Sequence, residues 1–395
     1  MKNFKLNNMK LILEYVWLDG RLHLRSKYKT IDWQLPRDFT LQDVPTWNYD
    51  GSSTFQANTD QSELILSPVA LYKNPFFQNR TEPSFLVMCD TYTQINNALI
   101  PTPSNHRFLS LQQFGRDQGQ LEPWFGIEQE YFMMDTSGHV PLAFYNAADN
   151  NALPVLQGEY YCAVGAQNVQ ERALAEQHYQ YCLYAGLTIS GINAEVAPSQ
   201  WEYQIGPCTG IDSGDQVWMS RYILQKVAEK YRVAISFQPK PLPHPWNGSG
   251  LHTNFSTAPT RAPGGLAVIH DYVNRLQPAH QAHLAVYGDN SQRLTGACET
   301  SDPNVFSCGY GHRGCSIRIP RETLQRESGY FEDRRPASDA DPYQVTGVIF
   351  ETIAGSRPQE AKLPPAKQAR ATDYDAGTRD ALFRKKCPKR TSRHT

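Results

Sequence analysis

The sequence predicts an α+β protein, on three observations. Alternating, strand-like segments fill the first hundred residues, amphipathic helical segments follow in a longer region, and short aromatic strands lie between those helices. LILEYVWLDG and LHLRSKYKTIDW alternate as half-buried strands do, and the Asp19-Gly20 pair between them predicts a hairpin. FLVMCDTYT is a further strand, and PTPSNHR reads as a linker. WFGIEQEYFMM, SQWEYQIG, GLHTNFST and CSIRIP read as strands of the second region. ERALAEQHYQYCLYAGL reads as a helix ended by Gly186, and SGDQVWMSRYILQKVAEKY as a second. GGLAVIHDYVNRLQPAHQAHLAVY holds one or two more, and DPYQVTGVIFETIAG is a last helix stopped by Gly355. No internal repeat is visible. The expected organisation is an N-terminal β unit over 1–103, a larger αβ unit over 104–355 and a tail over 356–395.

Composition narrows the function class. With 395 residues, 40% of them hydrophobic and 11% aromatic, the chain can bury a sizeable core. Mean hydropathy is −0.54 and no 18-residue apolar run occurs, so no transmembrane helix is expected. Glu14 and Asp19 interrupt the only N-terminal apolar stretch, which argues against a secretory signal. Eight scattered cysteines without a C-x-x-C pair indicate neither a zinc ribbon nor a disulfide framework, and fit a reducing, cytoplasmic compartment. A net charge of −1 argues against nucleic-acid or membrane-surface binding by the body. Residues 356–395, however, carry eleven Lys/Arg against four Asp/Glu, a basic tail that reads as disordered.

Some motifs are decoys. Gly309–Gly314 satisfies G-x-G-x-x-G, but a strand rather than a helix follows it, so it is not a dinucleotide turn. No Walker A or G-x-S-x-G sequence occurs. Asn79, Asn247 and Asn254 fit the glycosylation sequon, which means little without secretion.

Chemistry concentrates in carboxylates on strands. Glu128 and Glu130 are two apart in WFGIEQEYF, so both point to one face of a strand. Two acids flanked by Trp124, Phe125 and Phe132 are costly unless a cation compensates them. Glu195 and Glu202 bracket a turn at Pro198, His252 and Asn254 are again two apart, and so are Glu332 and Arg334. Carboxylates with one imidazole suit Mg²⁺ or Mn²⁺ better than zinc or copper. Arg293, Arg313, Arg318, Arg321, Arg334 and Arg335 supply guanidiniums that fit carboxylate and phosphate oxygens. Divalent ions and arginines without a P-loop are what phosphoryl transfer requires. Any one of these acids or arginines alone reads as a solvated face or a salt-bridge partner.

WNYDGSSTFQA, SELILSPVA, PWFGIEQEY, QGEYYCAVG, GINAEVAPSQWEYQIGPCTGID, WNGSGLHTNFST, RLTGACET and RGCSIRIPR…GYFEDRRPASDADPY resemble the signature blocks of the glutamine synthetases of eukaryotic type, from about Leu13 to Ile353. The resemblance implies a β-grasp-like N-terminal domain and a catalytic domain whose antiparallel sheet lines a funnel between flanking helices. It implies two or three Mg²⁺ or Mn²⁺ ions, one site from Glu130, Glu195 and Glu202 and another from Glu128, His252 and Glu332. Glutamate would lie near Asn247, Gly248 and His252, with Arg293, Arg313 and Arg334 binding its carboxylates or the transferred phosphoryl group. ATP would contact Trp124, Ser256, Arg318 and Tyr330. Asp50 would help take a proton from ammonium, and Glu299 would be the flap glutamate that closes the site. The implied activity is ATP-dependent ligation of ammonia to glutamate through γ-glutamyl phosphate, in a homodecamer of two stacked pentameric rings. Departures from the pattern are Cys298 before Glu299, His312 before Arg313 and Glu159 in QGEYYC; none replaces a ligand. Two other readings are a γ-glutamyl ligase acting on a different amine, disfavoured by Asp50 and Glu299, and a non-catalytic relative, disfavoured by the complete ligand set.

Overall fold

A computed structural model describes residues 8–34, 37–115, 118–145, 159–242, 246–297 and 300–355. The basic tail, Cys298 and Glu299 lie outside the described residues.

Two sheets organise the chain. The first contains β1 (Asn8–Leu18), β2 (Leu24–Gln34), β3 (Trp47–Asp50), β4 (Glu63–Lys73), β5 (Ser84–Ile95) and β6 (Ala98–Pro101). Its order is β2-β1-β5-β4-β3, with β6 pairing β5 and with β1 and β5 parallel. The hairpin expected at Asp19-Gly20 is present. Asp19 fixes it from within, its Oδ1 accepting from the Arg21 and His23 amides at 2.8 and 2.9 Å. Along β1 the pleat divides the side chains. Leu13, Tyr15 and Trp17 pack with Val44, Tyr49, Leu64 and Leu66, while Val16 and Leu18 join the main core of the chain.

The second sheet contains β7 (Trp124–Met134), β8 (Ile189–Ala194), β9 (Gln200–Thr209), β10 (Ala234–Ser236), β11 (Leu251–Ser256), β12 (Cys308–Tyr310), β13 (Ile317–Ile319) and β14 (Phe331–Asp333). Its order is β12-β13-β14-β11-β7-β9-β8, with β10 pairing the end of β7. All pairings are antiparallel except β12 with β13. The twenty-residue helix Asp212–Tyr231 packs behind β7 and β9. There Arg221 donates to Gln129 Oε1 at 2.8 Å and Ser220 to the Tyr203 hydroxyl at 2.9 Å. The backs of the strands are therefore filled, and the acids at 128, 130 and 202 project from the opposite face.

The helices at Arg172–Ala185, Asp212–Tyr231, Gly265–Leu276, His280–Leu284 and Pro342–Gly355 match the expected segments. Gly186 ends the first at φ 89°, a left-handed conformation that suits glycine, and its amide donates to Cys182 and Leu183. One expectation fails. PTPSNHR is not wholly a linker, because Asn105 caps a helix over His106–Phe114 through the Phe108 amide at 3.1 Å. No helix among the described residues is long and apolar enough to cross a membrane.

Candidate active site

The site is written in the strand register. Glu130 stands opposite Glu202 across β7 and β9, and Glu128 stands opposite His252 across β7 and β11. One strand further on, Asn254 pairs with Glu332 and Arg318 pairs with Glu332. Four neighbouring strands thus contribute acids and one imidazole to a single face. Glu195 joins from the turn after β8. There Gln200 returns a hydrogen bond to Ala197, and Ser199 takes a left-handed φ of 62°.

Two groups of ligand atoms result. Glu130, Glu195 and Glu202 bring one carboxylate oxygen each within 4.8 Å of one another, and Glu128, Glu202 and His252 bring two oxygens and a ring nitrogen equally close. Glu202 is common to both. The Nδ1 of His252 faces Glu128 at 3.5 Å, Glu332 at 3.7 Å and Glu130 at 3.8 Å. Glu332 sits beside this group but is already paired, its two oxygens held by Arg334 at 2.6 Å and Arg318 at 2.7 Å.

The electrostatics call for positive charge. Burial and the neighbouring Glu195 push the Glu130 carboxyl up to about 8, against the pull of Arg293 and the Gly250 amide. Glu202 is raised well above the carboxylate range by burial and by Glu128, Glu130 and Glu195. The imidazole of His252 is held neutral by burial and by Arg334, the state in which it can serve as a ligand. Three buried acids and a neutral imidazole form an oxygen-rich donor set of the kind that Mg²⁺ or Mn²⁺ takes.

Around the acids stand neutral donors. Asn254 donates to Glu128 at 2.7 Å, Gln200 to Glu130 at 3.3 Å, and Asn193 to Glu195 at 3.2 Å, while Gln204 bridges Glu202 and Asn193. Carboxamides orient these oxygens without cancelling the charge an ion needs. Of these four only Asn254 stands out in sequence, by its spacing from His252. The other three are ordinary strand amides whose meaning depends on the β8–β9 pairing.

The remaining expected residues fall into three places. Arg293 is a buried strut behind the Gly248–Gly250 segment, donating to Asn290 Oδ1 and to the Arg334 and Arg335 carbonyls at 3.1 Å. Burial lowers its guanidinium to about 10. No larger residue fits at Gly248, where a Cβ would meet Pro239 O at 2.5 Å and Arg293 Cγ at 3.0 Å. Asn247 is buried beside it, and Arg313 lies exposed on the β12–β13 loop, its carbonyl accepting from Arg334 at 3.0 Å. At the other end of the face, Trp124 and Ser256 are register partners and Tyr330 is exposed just before β14. Arg261, absent from the sequence reading, stacks on Trp124 at 3.8 Å and donates to Ser256 Oγ at 3.0 Å. Asp50 ends β3 on the other sheet, its carboxylate held by Ser53 at 2.6 Å and Ser52 at 2.7 Å. Those bonds lower it to about 2.

Comparison with known proteins follows the same lines. Residues 110–390 match the family described as glutamine synthetase, catalytic domain. The glutamine synthetase of Yarrowia lipolytica is 46% identical over 359 residues, 91% of this chain and 94% of that protein. The glutamine synthetase of Saccharomyces cerevisiae is 48% identical over 348 residues, 88% of this chain and 90% of that one. Among solved structures, a Plasmodium falciparum glutamine synthetase aligns with a TM-score of 0.65 at 16% identity, covering 87% of this chain and 71% of that one. A GmaS–ADP complex aligns at 0.64 and 18% identity, covering 87% and 78%. These two likenesses speak for the fold.

Proposed function

The chain belongs to the glutamine synthetase family, of the eukaryotic type, and is a ligase; from that premise we propose that it joins ammonia to the γ-carboxylate of L-glutamate at the expense of ATP, through γ-glutamyl phosphate. The observation that carries the proposal is the face of β7, where two overlapping acid groups are bordered by the Trp124 end and the Gly248 end.

Glu130, Glu195 and Glu202 would hold one divalent ion, and Glu128, His252 and Glu332 a second. Bound Mg²⁺ or Mn²⁺ would neutralise phosphate oxygens and polarise the transferred group. Trp124, Ser256, Arg318 and Tyr330 place ATP at one end of the face. Asn247, Gly248 and His252 place glutamate at the other, with Arg293 bracing the Gly248 segment from behind. A γ-carboxylate oxygen attacks the terminal phosphorus of ATP, the bond to ADP breaks, and Arg313 and Arg334 stabilise the negative charge spread over the transferred oxygens. Asp50, ionised at neutral pH as any exposed carboxylate is, then attracts ammonium and helps it lose a proton as the closed site desolvates the cation. Ammonia attacks the acyl phosphate and phosphate leaves. Glu299 would close the flap that keeps water from the intermediate.

The sites would be shared around a ring. Asp50 keeps company with its own turn on the first sheet, while the ligands lie on the second, which favours Asp50 serving a neighbouring subunit. The assembly proposed is a decamer of two pentameric rings, in the cytoplasm, with the chain divided at 103/104 and 355/356. Purified protein given ATP, Mg²⁺, glutamate and ammonium should release phosphate and form glutamine one for one. Phosphate release that needs no ammonium, or no glutamate, refutes the reading.

A further inference from the structure

We propose that Gln200 is a positioning residue that couples ion occupancy at Glu130 to the Gly248–Ser249 segment, so that glutamate binds tightly only once the ion is in place. This rests on the reading of that segment as the glutamate side of the site.

Gln200 is buried at 2% exposure and touches everything the coupling needs. Its Oε1 accepts from the Ala197 amide at 3.3 Å, which sets the orientation of the carboxamide. The Nε2 then points at three acceptors: Glu130 Oε2 at 3.3 Å, the Gly248 carbonyl at 3.1 Å and Ser249 Oγ at 3.1 Å. A carboxamide nitrogen has two hydrogens, so one acceptor is always underserved. All three contacts lie at the long end of the hydrogen-bond range, as shared hydrogens require.

Occupancy by a cation changes the competition. Without the ion, Glu130 Oε2 takes a share of the Gln200 hydrogens in addition to the Gly250 amide. A cation drawing on its lone pairs weakens it as an acceptor, and both hydrogens then settle on Gly248 and Ser249. The rest of that segment is already fixed. Ser249 N donates to Pro239 O at 2.8 Å, and Gly250 N donates to Glu130 Oε2 at 2.7 Å, the same oxygen that Gln200 approaches. The Gly248 carbonyl and Ser249 Oγ are therefore the groups whose partner changes. Gln200 also steadies the second acid of the group, since its own carbonyl accepts from the Glu195 amide at 2.9 Å. Coupling of this kind is reciprocal, so glutamate must raise ion affinity by the same factor.

The test is calorimetric binding of L-glutamate, without ATP, to the full chain in saturating Mg²⁺ and after EDTA treatment. In the wild type Mg²⁺ should tighten glutamate on the order of tenfold. Gln200→Met fills the same space without donors; its Mg²⁺-to-EDTA ratio should fall to between about one and three, with ATP affinity within about twofold of wild type. Ser249→Ala removes one competitor, so its ratio should lie between the other two. It carries the test alone if Gln200→Met loses the wild-type melting temperature. A tenfold ratio retained in Gln200→Met, or in Ser249→Ala where that variant stands alone, overturns the coupling. So does a wild-type protein that binds glutamate equally in Mg²⁺ and EDTA. A wild type that binds no glutamate in Mg²⁺ refutes the functional reading itself.

Discussion

Glu130 and Glu202 face each other directly across β7 and β9, two buried acids at one register position. Like charges directly opposed in a sheet destabilise it, and burial compounds the cost. Each is already displaced toward its protonated form. A cation between them removes both penalties.

Metal dependence follows. Saturating Mg²⁺ or Mn²⁺, at a hundred times its dissociation constant, should stabilise the fold by about 2.7 kcal/mol, read as a rise in melting temperature. Glu195→Ala removes one of three ligands and should abolish turnover and most of that rise. An equal melting temperature with and without chelator contradicts this.

Sharing of sites between subunits is tested by mixing. Asp50→Ala and Glu195→Ala subunits should each be inactive. Rings that contain both, confirmed by mass, should recover part of the activity, because some interfaces pair an intact Asp50 with intact ligands. Mixed rings that stay inactive would place the whole site within one chain.

Stability should fall on the acid side. Burial holds His178 down to about 4, with Nε2 hydrogen-bonded to the Ser220 carbonyl at 3.1 Å. Between about pH 6.5 and 4 the unfolded chain binds a proton that the folded chain does not, so stability is lost as pH falls through that window. The loss amounts to roughly 2–3 kcal/mol at pH 4. Denaturant titrations of His178→Gln should show a slope shallower by up to about 1.4 kcal/mol per pH unit across the window. An unchanged slope would mean the imidazole titrates normally.

Beneath the arginines of the site, Arg335 and Asp333 form a fully buried pair at 2.6 Å, with Tyr287 donating to the same carboxylate at 2.9 Å. Arg335→Leu leaves that charge uncompensated and should cost about 3–5 kcal/mol. Chemical denaturation measures it, and a loss below about 1 kcal/mol would show that Tyr287 and water suffice.

The sequence announces those acids whose spacing is itself geometric. Glu128 and Glu130 lie two apart in an aromatic strand, so the pleat alone puts them on one face. Asp50 and Glu195 carry no such signal, and only the signature blocks around them single them out. Gln200 and Arg261 escape notice because their importance is relational, made by a turn at Pro198 and by the Ser256–Trp124 pairing. The helix at His106 hides behind three turn-forming residues, and its start depends on Asn105 acting as a cap rather than a loop residue.

The acid at the centre of β1 has a mechanical consequence. Glu14 is fully buried, and Tyr222, Lys226 and Asn74 all bond to it. It rivets the first sheet to the same helix that backs β9 through Ser220 and Tyr203, one residue from Glu202. The first sheet is thus no loose appendage hinged on a linker. Force applied to its strands passes along a stiff rod to the floor under the acids, so a tug on one half of the molecule is felt in the other.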